Sequence, residues 1–189
     1  MQENLSILSG VILLIANGIY IVSILRGKTQ PTRGSWITWA VLDIVLIFGM
    51  FSKSTLNGQV LVGSLTSLVI ACMSFRWGKP GWSILEKACL AVLPFGLLLW
   101  YFTNDAVWNI AITLTLIAIG CWPTYESMWE DPSRENRATW TLAFISSLVM
   151  LPAIRTWTFS ADSISEWAQP IVWLVTQIPI MYLLWVHQK

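Results

Sequence analysis

Apolar residues along this chain come in long unbroken runs divided by short polar stretches. Seven such segments stand out: Leu5–Leu25, Ser35–Phe51, Leu56–Phe75, Ala88–Thr103, Ala106–Pro123, Ala138–Ile154 and Trp167–Val186. A helix that crosses a bilayer needs about 20 apolar residues, in a range of roughly 17 to 25. Each segment meets or approaches that length, and the short fourth one extends back toward Ile84. In hydrocarbon every backbone N–H and C=O needs an internal partner, so the segments are predicted to be helices. Runs such as VILLI (Val11–Ile15) and VLIFGMF (Val45–Phe51) are apolar on every face. They lack the alternation of a membrane β-barrel. The expectation is an all-α integral membrane protein of seven transmembrane helices, with no room between them for a soluble domain.

Composition strengthens this picture. Of 189 residues, 56% are hydrophobic and 11% charged, whereas soluble domains carry roughly 25% charged residues. The mean hydropathy is +0.64. A net charge of +1 provides no field of one sign to attract nucleic acid. Thirteen tryptophans suit membrane–water interfaces, where an apolar ring and a polar N–H are both accommodated. Cys72, Cys89 and Cys121 have no metal-ligand spacing and read as reduced, packed thiols. The opening MQENLS has no basic stretch, and the first apolar run is too long for a signal-peptide core. That run is expected to remain as the first span.

Lys and Arg set the predicted orientation. With the N-terminus outside, the cytoplasmic side holds Arg26, Lys28, Arg33, Arg76, Lys79, Lys87, Arg134, Arg137 and Lys189, and the outer loops hold Lys53 and Arg155. The expected location is a bacterial inner (plasma) membrane, with the C-terminus in the cytoplasm.

The chain also repeats itself. PTRGSWITWA at Pro31–Ala40 matches PSRENRATWT at Pro132–Thr141 through Pro31/Pro132, Arg33/Arg134, Thr38/Thr139 and Trp39/Trp140, at a constant offset of 101. Both copies enter a helix from an inner loop, and each proline suits a first helical turn. A weaker echo at offset 110 pairs Gln59, Thr66 and Lys79 with Gln169, Thr176 and Lys189. Spans one to three and five to seven then form two parallel units, residues 1–80 and 105–189, joined by a linker helix in 81–104. Parallel repeats of this kind are a transporter plan.

This layout resembles the SWEET and PQ-loop superfamily, as a divergent bacterial member. Tyr20–Trp39, YIVSILRGKTQPTRGSWITW, is similar to the end of a PQ-loop helix and its basic loop. Trp122–Trp140, WPTYESMWEDPSRENRATW, is similar in the second unit, with Pro123-Thr124 where a Pro-Gln pair is expected. The resemblance implies alternating access to a central pocket, with prolines as hinges. Receptors of the KDEL type share the fold and transport nothing.

Asp43 is the one ionisable residue well inside a span. A charge at that depth costs about 2.5 to 3.5 kcal/mol on insertion scales, so it is expected to face the bundle or a wet cavity. It is a candidate for proton coupling or substrate contact, set against a packing role. Trp36, Trp39 and Asp43 share one helix face. Trp36 reads as an interfacial anchor, and Trp39 either as another anchor or, with its repeat partner Trp140, as a wall of a pocket. Asn17, Asn109, Thr66, Thr176 and Gln177 are mid-span polar groups, candidates for substrate contact or for bonds between helices. Gly63, Ser67 and Ala71 form a small-residue packing stripe. Pro123, Pro152 and Pro179 are candidate hinges, and Pro94 interrupts the fourth span.

His187 stands alone, so no metal site is predicted. No cofactor is expected, and no catalytic constellation marks an enzyme. Two functions remain. One is a carrier for a small polar molecule (a sugar, amino acid or vitamin-like compound), by facilitated diffusion or proton coupling. The other is a receptor or accessory subunit, with the acidic inner segment 126–135 as a place for a protein partner.

Overall fold

The computed structural model describes residues 2–103 and 105–186, with the side chains at 96, 99, 100, 103, 161 and 162 left out. His187 and Lys189, of the predicted inner tail, lie outside the described residues. The helices are α1 (Gln2–Leu25), α2 (Arg33–Ser52), α3 (Gly58–Trp77), α4 (Ile84–Thr103), α5 (Ala106–Ile119), α6 (Trp122–Glu130), α7 (Arg137–Met150) and α8 (Ala161–Trp185). Short 3-10 turns at Pro132–Arg134 and Leu151–Ala153 flank α7. There is no strand among the described residues.

Side-chain caps define several of the starts. The Asn57 side chain accepts from the Val60 amide, Asp105 from Val107 and Trp108, and Asn136 from Thr139, each satisfying donors that a first turn leaves free. After α1 the chain reverses at Gly27, whose φ of +68° favours glycine. The fifth predicted segment is not one helix. α5 stops at Ile119, the chain turns at Gly120 and Cys121, and Pro123 falls in the first turn of α6. There its missing N–H costs nothing, so Pro123 starts a helix and does not kink one. Pro152 likewise sits in the 3-10 turn that closes α7. The sixth segment therefore ends at Met150 and not at Ile154. Pro94 and Pro179 lie within continuous helices, and α8 holds a second proline, Pro170. Neither repeat proline occupies the first turn of its α-helix: Pro31 precedes Arg33, and Pro132 heads the 3-10 turn before α7.

Five helical stretches are long and apolar enough to cross a membrane: Gln2–Leu25, Arg33–Ser52, Gly58–Trp77, Ala106–Glu130 and Ser163–Trp185. The fourth of these is α5 and α6 taken together. α7 has 14 residues, about 21 Å of helix, and its 3-10 turn prolongs it. The bundle is apolar outside and polar inside. Ile7, Val11, Leu14, Phe48, Leu65 and Ile178 are exposed, whereas Ser9, Gln59, Ser146, Ser147 and Gln169 are fully buried. A water-soluble fold distributes its residues the other way. An apolar surface this extensive needs an apolar surrounding, consistent with an integral membrane protein.

α1 packs on α3 and α7, α2 on α3 and α5, and α8 on α5 and α7, with α4 laid against α2 and α5. One end of the bundle gathers the basic loops. There the Gln30 amide donates to the Arg134 carbonyl and the Lys79 amide to the Pro31 carbonyl. The Arg33 guanidinium donates to the carbonyls of Ser74 and Gly81. At the opposite, far end, Ser9 bonds Ser146 and the Gly58 amide donates to Ser6 Oγ.

Candidate functional site

A cavity of about 90 Å³ lies at the centre of the bundle, between α1, α2, α3, α5, α7 and α8. That is space for several waters or one compact ligand. Asp43 enters it from α2, ten residues from the start of the helix and nine from its end. The side chain is 3% exposed. Ser67 Oγ donates to Asp43 Oδ2 at 2.8 Å, and this is the one side-chain hydrogen bond the carboxylate receives among the described residues. Among the described residues no Lys, Arg or His lines the cavity.

Of the residues predicted for substrate contact, Asn17, Trp39, Asp43, Trp140, Thr176 and Gln177 line this cavity. Thr66 and Asn109 do not. Thr66 stands behind Asn17, whose Nδ2 donates to its hydroxyl at 2.5 Å. Asn109 is buried in α5 beside Gly49 of α2, and its Oδ1 accepts from Thr113 at 3.1 Å. The small-residue stripe has separate uses along its length. A Cβ on Gly63 would lie 2.5 Å from Trp173 Cη2, so glycine there admits the indole of α8 to the cavity wall. Ser67 holds Asp43, and Ala71 packs under Tyr20 and Trp36.

Toward the basic end the cavity is bounded by aromatic rings. Trp36 is 6% exposed and packed inside the bundle, which corrects its reading as an interfacial anchor. Its ring centroid lies 5.1 Å from Tyr20 and 5.0 Å from Trp39. Trp140 completes the circuit at 6.3 Å from Trp39 and 6.4 Å from Tyr20. Three of these four contacts are edge-to-face, the arrangement favoured by ring quadrupoles. The helix spacing supplies this: Trp36 and Trp39 share a face of α2, and Trp140 is the repeat partner of Trp39.

Beneath the quartet sits Glu135, which sequence reasoning passed over as one acid among several in a loop. It is buried, Tyr20 Oη donates to its Oε1 at 3.0 Å, and Trp140 Nε1 donates to its Oε2 at 2.9 Å. Burial pushes its carboxyl up to about 7, against the opposing pull of those two donors. Glu130 and Asp131 of the acidic segment are engaged too, the latter accepting from Ser133. Glu130 Oε2 accepts from Lys79 at 2.8 Å and from Arg134 at 2.9 Å, and residues 122–130 form α6 in place of an extended polar loop.

Toward the far end the cavity meets a polar network. Gln177 Oε1 accepts from Ser147, which accepts from Gln59 Nε2. Gln169 Nε2 donates to Gln59 Oε1 at 3.1 Å, and Asn57 Nδ2 donates to Gln169 Oε1 at 2.8 Å. Gln59 and Gln169 are the pair related by the weaker repeat. The site therefore has an ionisable centre, an aromatic floor and a hydrogen-bonded polar roof.

In comparison with known proteins, no family model, no curated protein and no solved structure matches the chain.

Proposed function

We propose that the chain is a membrane carrier for a small polar molecule, working by alternating access with the central cavity as its substrate site. In this reading α1 to α4, α5 with α6, α7 and α8 make seven spans, N-terminus outside and C-terminus in the cytoplasm. Two parallel three-helix units, 1–80 and 105–189, are joined by α4 in the manner of the SWEET and PQ-loop superfamily. The packing is reciprocal in the way two such units require. α1 packs on α7 of the second unit, and α5 on α2 of the first. The repeat-related Trp39 and Trp140 meet at the cavity.

The observation that carries the reading is Asp43. An ionisable side chain at mid-helix, opening on a cavity shared by six helices, is where carriers of this plan put substrate and coupling-ion sites. The aromatic quartet supports a closure on the basic side. The polar network of Gln59, Gln169 and Gln177 supports a route for polar solute from the far side. Rocking one unit on the other would exchange these closures.

Uptake into proteoliposomes tests this. A panel of sugars, amino acids, amines and vitamin-like heterocycles is run with and without a proton gradient, with Asp43→Asn in parallel. Saturable uptake of one compound is expected, with Asp43→Asn losing any dependence on the gradient. No uptake across the panel from folded, correctly oriented protein would replace the carrier reading with that of a receptor or accessory subunit.

A further inference from the structure

We propose that the cavity takes a small organic cation of the alkylammonium class, its charge set against Asp43 and its alkyl groups against the indoles of Trp36, Trp39, Trp140 and Trp173. The proposal rests on the reading of this cavity as a substrate site and adds the charge and shape of the substrate.

Charge is the first argument. Asp43 lines the cavity, and among the described residues no Lys, Arg or His does. An ionised carboxylate there has, among those residues, a single hydroxyl donor, Ser67, and no counter-ion. A buried charge without a partner is costly. An anion would add a second negative charge, and a zwitterion would leave its own carboxylate unmatched. A cation supplies the missing partner.

The walls make the second argument. Four indoles face one compact space, and a cation over a tryptophan ring gains about 0.5 to 1 kcal/mol when exposed and roughly 2 or more when desolvated. Alkyl groups on nitrogen spread that charge and pack against rings as a bare ammonium does not.

The third argument is the hydrogen-bonding capacity that remains. A sugar brings several hydroxyls, each needing a partner once buried. The wall's polar groups are largely engaged already. Asn17 donates to Thr66, Trp39 Nε1 to the Ile117 carbonyl, and Thr176 Oγ1 to the carbonyls of Val172 and Trp173. Gln177 accepts from Ser147. Two buried donors of the wall have no acceptor among the described residues, the indole N–H groups of Trp36 and Trp173. A single oxygen on the ligand would satisfy one of them, as in an alkylammonium carrying one hydroxyl.

The test is a titration of purified protein in detergent, read by intrinsic tryptophan fluorescence. The probes are choline, tetramethylammonium and the neutral isostere of choline in which carbon replaces nitrogen. Saturable quenching by the cations is expected, with the isostere roughly tenfold weaker or more, a difference of about 1.4 kcal/mol. Asp43→Asn should lose the cation preference and Asp43→Glu should retain part of it. Equal binding of cation and isostere by the unmodified protein overturns the proposal without any variant, as does unchanged cation binding in folded Asp43→Asn. So does a neutral sugar that quenches where the cations do not. Uptake distinguishes the two readings. Cation binding with no uptake of any compound keeps the cation assignment and removes the carrier reading. Uptake of a neutral solute with no cation binding does the reverse.

Discussion

The two junctions where a basic loop enters a tryptophan-bearing helix, Pro31–Ala40 and Pro132–Thr141, share a motif and hold their buried acids in different ways. At the first, position 34 is glycine, and the acid comes from α4. Glu86 Oε1 accepts from the Gly34 amide at 2.9 Å and its Oε2 from the Ser83 amide at 2.9 Å, while Ser83 Oγ accepts from the Glu86 amide. One carboxylate thus closes a capping box on α4 and satisfies a free donor at the start of α2. At the second junction the residue equivalent to Gly34 is Glu135, and its partners are the side chains of Tyr20 and Trp140. A carboxylate fixed by backbone amides at two helix starts, where the dipoles favour negative charge, is a static clasp. A carboxylate buried among aromatic rings, with its proton affinity raised, is a titratable latch.

Breaking the clasp should have the largest effect. A Cβ on Gly34 would lie 2.6 Å from Glu86 Cβ and 2.7 Å from its Cα. The obstacle is backbone, so α4 has to move away from α2. Gly34→Ala is expected to cost about 3 kcal/mol, at the upper end of overpacking effects. The measurement is the unfolding midpoint in mixed micelles. A loss below about 1 kcal/mol would mean that α4 yields freely and is not tied to α2.

The latch predicts a pH dependence. Glu135 lies in the loop before α7, and burial raises its carboxyl from 4.5 to about 7. Between those values the unfolded chain has released the proton and the folded chain retains it. Stability is therefore fully present below about pH 4.5, falls as pH rises toward 7, and is level above. The total change is about 3 kcal/mol. Glu135→Gln should flatten this slope, and an unchanged slope in that variant would move its source elsewhere.

Much of this was legible in the sequence, for reasons that differ by residue. Long apolar runs report helices in lipid directly, and Asp43 reports a cavity because few other environments accept a mid-span acid. Trp39 and Trp140 were legible through the repeat. Trp36 was misread because an indole near a helix start suits an interface as well as a ring cluster, and periodicity does not separate them. Glu135 was hidden by its neighbours: Glu130 and Asp131 are surface acids, and nothing local marks the third as buried. Its burial depends on Tyr20, 115 positions away. The break at Gly120 was masked because the apolar run continues through it to Pro123, while most of α6 is polar enough to read as a loop. The Ser83–Glu86 spacing was the one readable sign of the clasp.

The smallest effects should separate the two repeat tryptophans, which look equivalent in the motif. Trp39 Nε1 donates to the Ile117 carbonyl at 3.1 Å, a neutral bond worth about 1 kcal/mol. Trp140 Nε1 donates to Glu135 at 2.9 Å. Charge-assisted bonds are roughly twice as strong, so Trp140→Phe should cost about 2 kcal/mol where Glu135 is ionised and about 1 where it is protonated. Trp39→Phe should cost the same at every pH. The Trp140 donor favours the ionised carboxylate, so its removal raises the proton affinity of Glu135 further. The fall in stability of Trp140→Phe should then continue above pH 7, where the unmodified protein is level. Parallel pH profiles for the two variants would mean that the indole and the carboxylate are not coupled, and the distinction between clasp and latch would fail at its second half.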